Sequence, residues 1–200
     1  MKKEELRGIL EAEDDGPALS RFLKENPYVF RESLQFQGKP GRVMSDFPIG
    51  SDLRADFVVL APYSSAFEIK LIKLGSPGSR FFAGDGSLSP EAEGALEQMK
   101  RWRSFIAGNQ KQFLRDIERQ AQKSGEVRYQ SEQMTCAAGW PIHHPIMRLR
   151  FSYDIIMGRG EPPAGALPEN AALREMENLS LIPWDQLLLG TGKMDLHPEG

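Results

Sequence analysis

Cysteine is almost missing from this chain: Cys136 is the only one in 200 residues. An intramolecular disulfide is therefore impossible, and so is a zinc site built on cysteine pairs. Histidine is scarce as well. His143 and His144 are adjacent, between Pro141 and Pro145, and neighbouring residues in a loop lack the ligand spacing of a metal-binding helix or hairpin. No apolar run reaches the roughly 20 residues that cross a bilayer. The start, Met1-Lys2-Lys3-Glu4-Glu5-Leu6, has no apolar stretch behind its lysines, so no secretory signal is visible and the expected location is the cytoplasm. Gly75, Gly78, Gly84 and Gly86 lack the Gly-Lys-Ser/Thr ending of a phosphate-cradling loop, which argues against an NTP-driven motor.

What is present is an ordinary globular composition. Hydrophobic residues make up 40% and charged residues 26%, enough for a sizeable core without covalent staples. The formal charge of -3 speaks against a surface that coats nucleic acid everywhere, but it hides an asymmetry. Residues 94–160 hold 11 Lys and Arg against 6 Asp and Glu, whereas residues 161–200 hold 2 against 7. Lys100, Arg101 and Arg103, with Arg148, Arg150 and Arg159, form the basic middle. As a group they suit a phosphate backbone; singly, each reads as a solvated surface charge.

Periodicity gives the element order. A first helix ends near Asp14-Asp15-Gly16, and a second runs from Ala18 to Glu25 and stops at Asn26-Pro27, because a residue before proline is pushed out of the helical region. Three strands follow, Arg42–Phe47, Ala55–Leu60 and Ala66–Ile72, the last two joined through Ala61–Ser65. After a Gly- and Ser-rich loop, Ser89-Pro90-Glu91 starts a helix with a capping hydroxyl, a proline at its first position and acids in its first turn. It extends to about Gly108, with a second stretch over Gln110–Lys123. Strands are expected over Gln133–Gly139, Arg148–Met157 and Leu179–Ile182, and helices over Pro168–Asn178 and Trp184–Leu189. The pattern is α/β, a central mixed sheet flanked by helices.

One constellation carries chemistry. Glu68 and Lys70 stand two apart on a strand and so share a face. No other acidic residue of the chain has a lysine two positions later. Asp56 precedes them on the neighbouring strand, where a hairpin would bring it close. Two carboxylates are what a hard cation such as Mg²⁺ wants, and a lysine beside it can stabilise developing negative charge. Gln98 and Trp102, four apart, share a face of the following helix; Gln98 could donate toward such a site, while Trp102 suits the core. The bland alternative is that Glu68 and Lys70 form a solvent-exposed polar edge.

These residues resemble a known family. Asp56, Glu68-x-Lys70 and a helix carrying Gln98 and, four residues on, an aromatic look like the PD-(D/E)XK nuclease superfamily, and more narrowly the nuclease domain of Shedu anti-phage defence proteins. The resemblance also runs through Phe22–Pro27, Asp52–Phe57, Ala95–Gln98, Ile155–Arg159 and Leu181–Leu188. It departs at Ala55, where the motif has proline, and at Trp102 and Pro183-Trp184, where relatives have Tyr and Thr-Tyr; no counterpart of the extra domain of larger Shedu proteins is expected. The resemblance implies a restriction-endonuclease-like fold over 17–190, with a helical extension at 1–16 and a flexible tail at 191–200. It implies a metal-dependent DNA endonuclease: Asp56 and Glu68 as ligands of Mg²⁺ or Mn²⁺, Lys70 as catalytic lysine, Gln98 in support, DNA as partner and a homo-oligomeric assembly. A further carboxylate from the first helices, Asp15, Glu25 or Glu32, is left open. The rival function is a catalytically silent nuclease-like module that binds DNA or protein.

Overall fold

A computed structural model describes residues 2–12, 16–38, 41–123, 135–136, 138–160, 173 and 176–194. The elements are α1 (Lys2–Glu11), α2 (Gly16–Glu25), α3 (Tyr28–Ser33), β1 (Arg42–Ile49), β2 (Leu53–Tyr63), β3 (Ala66–Leu74), α4 (Pro90–Lys123), β4 (Arg148–Ile156), β5 (Leu179–Ile182) and α5 (Trp184–Met194). The strands form one sheet in the order β1-β2-β3-β4-β5. The first three are an antiparallel meander. Arg148 N–H donates to Ser65 O and Gly75 N–H to Ile156 O, so residue numbers rise together along β3 and β4 and that pair is parallel. The sheet is mixed and the class α/β, as the pattern of elements predicts.

The chain divides into two compact units. The first comprises Met1–Gln35, Leu74–Leu96 and Asp154–Gly200. Here α1 and α3 pack against α5 and α2 packs against α1; Leu6, Leu19, Phe22, Leu23, Phe30, Trp184 and Leu187 are all at most 2% exposed. Asn26 ends α2 by more than its position before Pro27. Its side chain donates to Phe22 O at 2.8 Å and accepts from the Tyr28 hydroxyl at 3.0 Å, so the buried amide is satisfied while the chain turns into α3. α3 leaves no signal in the sequence, because six residues are too few for periodicity to register. At the start of α4, Ser89 Oγ accepts from Ala92 N–H at 3.2 Å, the cap the sequence predicts.

The second unit comprises Phe36–Lys73 and Glu97–Tyr153. The β2–β3 hairpin is tighter than the sequence suggests. Tyr63 pairs with Ala66, leaving only Ser64-Ser65 in the turn, with Ser64 at φ 40°. The β1–β2 turn needs its glycine: Gly50 has φ 68°, and a Cβ there would lie 2.6 Å from the Phe105 ring. Phe113 of α4 meets Phe47 edge-on at 5.6 Å and Phe151 of β4 at 6.1 Å, which fixes the odd-numbered face of β4 against the helix. α4 breaks locally at Asn109, φ −134°, close to the division at Gly108 expected from sequence. Cys136 is buried, as a small apolar residue should be. The strand expected over 133–139 does not form at its described residues 135, 136, 138 and 139: Thr135 makes only an isolated bridge to Pro141, and the chain turns at 138–139; the helix expected over 168–178 lies mostly outside the described residues. Met1, Asp15 and 195–200 lie outside as well, while α5 carries helix past Gly190 to Met194.

Candidate functional site

Glu68 and Lys70 are not a polar edge. They are 4% and 5% exposed, in the middle of a strand whose neighbours are core residues. Burying a charge is costly unless its hydrogen-bonding capacity is met. Glu68 meets that condition from two directions: Oε2 accepts the backbone N–H of Gln37 at 2.8 Å, and Oε1 accepts the Ser152 hydroxyl at 3.0 Å. The Lys70 ammonium lies 5.0 Å from the centroid of the Phe36 ring, in cation–π reach. Their cross-strand partners are the small Ala61 and Val59. The segment Phe36–Gly38 can run this close because residue 38 is glycine: a Cβ there would sit 2.5 Å from Pro62 O.

Asp56 and Gln98 lie elsewhere. The hairpin register places Glu68 opposite Ala61, five positions along β2 from Asp56. At strand rise that is about 17 Å, too far for two carboxylates to share one ion. Asp56 instead pairs with Lys73 at 3.0 Å. Gln98 Nε2 donates to the carbonyl of Arg54 at 3.2 Å, two residues before Asp56. The four expected catalytic residues therefore fall into two clusters, Glu68 with Lys70 and Asp56 with Gln98. The hairpin inference fails on register: a two-residue turn fixes which residues face each other, and an expected five-residue connection does not carry that information.

The fit to a cation follows from these positions. Both oxygens of Glu68 are occupied by donors, Asp56 is in its own ion pair, and among the described residues no group of three His, Cys, Asp or Glu is placed to hold a metal. In this conformation Asp56 and Glu68 do not fit a shared Mg²⁺. Of the further carboxylates, Glu25 is exposed and Glu32 pairs with Arg31 at 2.8 Å; Asp15 lies outside the described residues.

The six basic residues also separate. Lys100 pairs with Glu97 at 3.1 Å, and Arg101 and Arg103 are exposed on α4. Burial pushes the Tyr153 phenol above its usual range, partly offset by the charge of Arg103. Arg148 and Arg150 are exposed on β4, on the even-numbered face with Ser152. Arg159 belongs to the first unit, where it bonds Asp185 at 2.8 Å and Gly160 N–H joins at 2.7 Å. Burial by itself would raise the Asp185 carboxyl, but these donors hold it below the usual range. Among the histidines, His143 Nδ1 lies 2.5 Å from Glu118 Oε1 and His144 stacks on Trp140 at 4.5 Å, so each has a local partner of its own.

Three members of the Glu68 cluster escape sequence reasoning: Phe36, Gln37 and Ser152. Gln37 acts through its backbone, which no residue type announces. Ser152 had a signal, the period-2 series Arg148, Arg150, Ser152, but only the sheet order shows that β4 lies beside β3. A search of curated proteins finds no match. The family model described as Shedu protein SduA, C-terminal, matches residues 15–188. With most of its length inside that match, the chain belongs to the Shedu SduA C-terminal family, a family associated with anti-phage defence.

Proposed function

We propose that the chain is a DNA endonuclease of anti-phage defence, hydrolysing phosphodiester bonds, with Glu68 and Lys70 at its reacting centre. The observation that carries this reading is the burial of a carboxylate and an ammonium two residues apart on one strand face. Apolar residues would fill that space at lower cost, so the charged pair needs a chemical reason. A lysine held there can stabilise negative charge that develops on a phosphoryl group. Membership of the Shedu family and the resemblance to PD-(D/E)XK nucleases support the reading and bring with it Mg²⁺ or Mn²⁺ as cofactor and a homo-oligomeric, cytoplasmic protein. A cation shared by Asp56 and Glu68 requires a pairing of β2 with β3 other than the one described. The test is incubation of the purified protein with plasmid and linear DNA in Mg²⁺ or Mn²⁺. Cleavage that disappears in Glu68→Ala and Lys70→Ala supports the proposal; wild type no better than those variants refutes it.

A second reading is favoured by the Asp56–Lys73 pair, which leaves the two carboxylates apart. On it, the chain is a catalytically silent module that binds DNA or protein. Salt-dependent DNA binding without turnover supports this reading. Stoichiometric Mn²⁺ binding that vanishes in both Asp56→Ala and Glu68→Ala counts against it, because both carboxylates must then reach one ion.

A further inference from the structure

We propose that Arg148 and Arg150 form a phosphate-binding row on β4 that leads a DNA strand to Glu68. The proposal rests on the reading of the chain as a protein that acts on DNA, and it singles out two of the six basic residues as the lead-in.

Strand pleating turns residues 148, 150 and 152 to one face and 149, 151 and 153 to the other. Two observations fix which is which. Ser152 donates to Glu68, so the even-numbered residues share the face of Glu68 and, by period 2 on β3, of Lys70. Phe151 packs with Phe113 of α4, so the odd-numbered residues face α4. Lys100, Arg101 and Arg103 ride on that helix and cannot lead to Glu68 on the opposite side of the sheet.

Burial changes stepwise along the row. Arg148 and Arg150 are exposed and Ser152 is 5% exposed; the bond from Arg148 N–H to Ser65 O sets the parallel register so that Arg150 lies beside Glu68 and Ser152 beside Lys70, and a ligand that enters at the arginines arrives next to the buried carboxylate. Side chains two apart on a strand are separated by roughly 6.7 Å, a spacing at which two guanidinium forks can engage successive phosphates of one strand. The exposed charges of this face on β4, Arg148 and Arg150, are both cationic, which matches a polyanion.

The test is equilibrium binding of the full chain to a labelled DNA duplex in EDTA, over a range of salt. Arg148→Gln and Arg150→Gln each lower the slope of log affinity against log salt by about one. Arg115→Gln, an exposed arginine on α4, leaves it unchanged. Unchanged slopes in both β4 variants, equal flattening in Arg115→Gln, or no binding by the wild type overturns the row. A double-mutant cycle ties the row to the carboxylate. Glu68→Gln removes a negative charge beside the strand and tightens binding, and that gain shrinks by about twofold or more when Arg150 is also replaced. Strictly additive effects overturn the connection to Glu68. Binding is read without turnover, so missing cleavage sinks the nuclease proposal and leaves the row standing. Cleavage with unchanged slopes does the reverse.

Discussion

The Ser152 hydroxyl donates to Glu68 Oε1 at 3.0 Å across 84 residues of sequence. Both side chains are buried, so the bond holds a carboxylate that has no water shell to fall back on. Ser152→Ala leaves that oxygen without its donor and costs about 1–3 kcal/mol of stability by urea denaturation. Ser152→Thr keeps the hydroxyl and recovers most of the loss. An alanine variant as stable as the wild type would show that the carboxylate is satisfied without Ser152.

The approach of Gly38 to the hairpin gives a second expectation. A methyl group there would press on Pro62 O, a backbone atom that cannot rotate away. Gly38→Ala therefore destabilises the protein by about 1–3 kcal/mol and loosens the bond from Gln37 N–H to Glu68. Amide exchange at Gln37 reports it: faster exchange is expected, and unchanged exchange contradicts the close passage.

The Asp56–Lys73 pair behaves differently, because both side chains are more than a quarter exposed. Lys73→Ala lowers stability by no more than about 1 kcal/mol. A loss as large as that of Ser152→Ala would mean that Asp56 bears on the core in a way that its exposure does not suggest.

Asp185 sets an acid-side dependence. Its carboxyl lies below the usual range in the folded protein, so its contribution is present above the unfolded value near pH 4 and is lost as pH falls through the folded value. Asp185→Asn therefore removes part of the stability at pH 6 and narrows the difference from wild type below pH 3. Thermal unfolding across pH 2–7 measures this, and a difference that stays constant over the range contradicts it.

Much of the fold was legible because its signals are local. The capping residues Ser89 and Pro90, the stop at Asn26-Pro27, and the apolar runs of β2 and β3 each follow from a few neighbouring residues. The candidate site was half legible for the same reason. Glu68 and Lys70 share a face through strand period alone, and their isolation as a motif could be seen by inspection. Asp56 was misplaced because its position depends on register, which the length of the Ser64-Ser65 turn decides and composition does not. Gln37 and Ser152 were invisible because one acts through its backbone and the other arrives from a strand whose neighbour only the sheet order identifies.

The proposed role of the buried Glu68–Lys70 pair in phosphodiester hydrolysis stands or falls on DNA cleavage. The most direct measurement is single-turnover cleavage of a defined DNA duplex in Mg²⁺ or Mn²⁺ by wild type, Glu68→Gln and Lys70→Met, near-isosteric changes whose folding circular dichroism can verify. Wild type is expected to cleave, with a fall of at least about 100-fold in each variant. Folded variants that cleave as fast as the wild type contradict it.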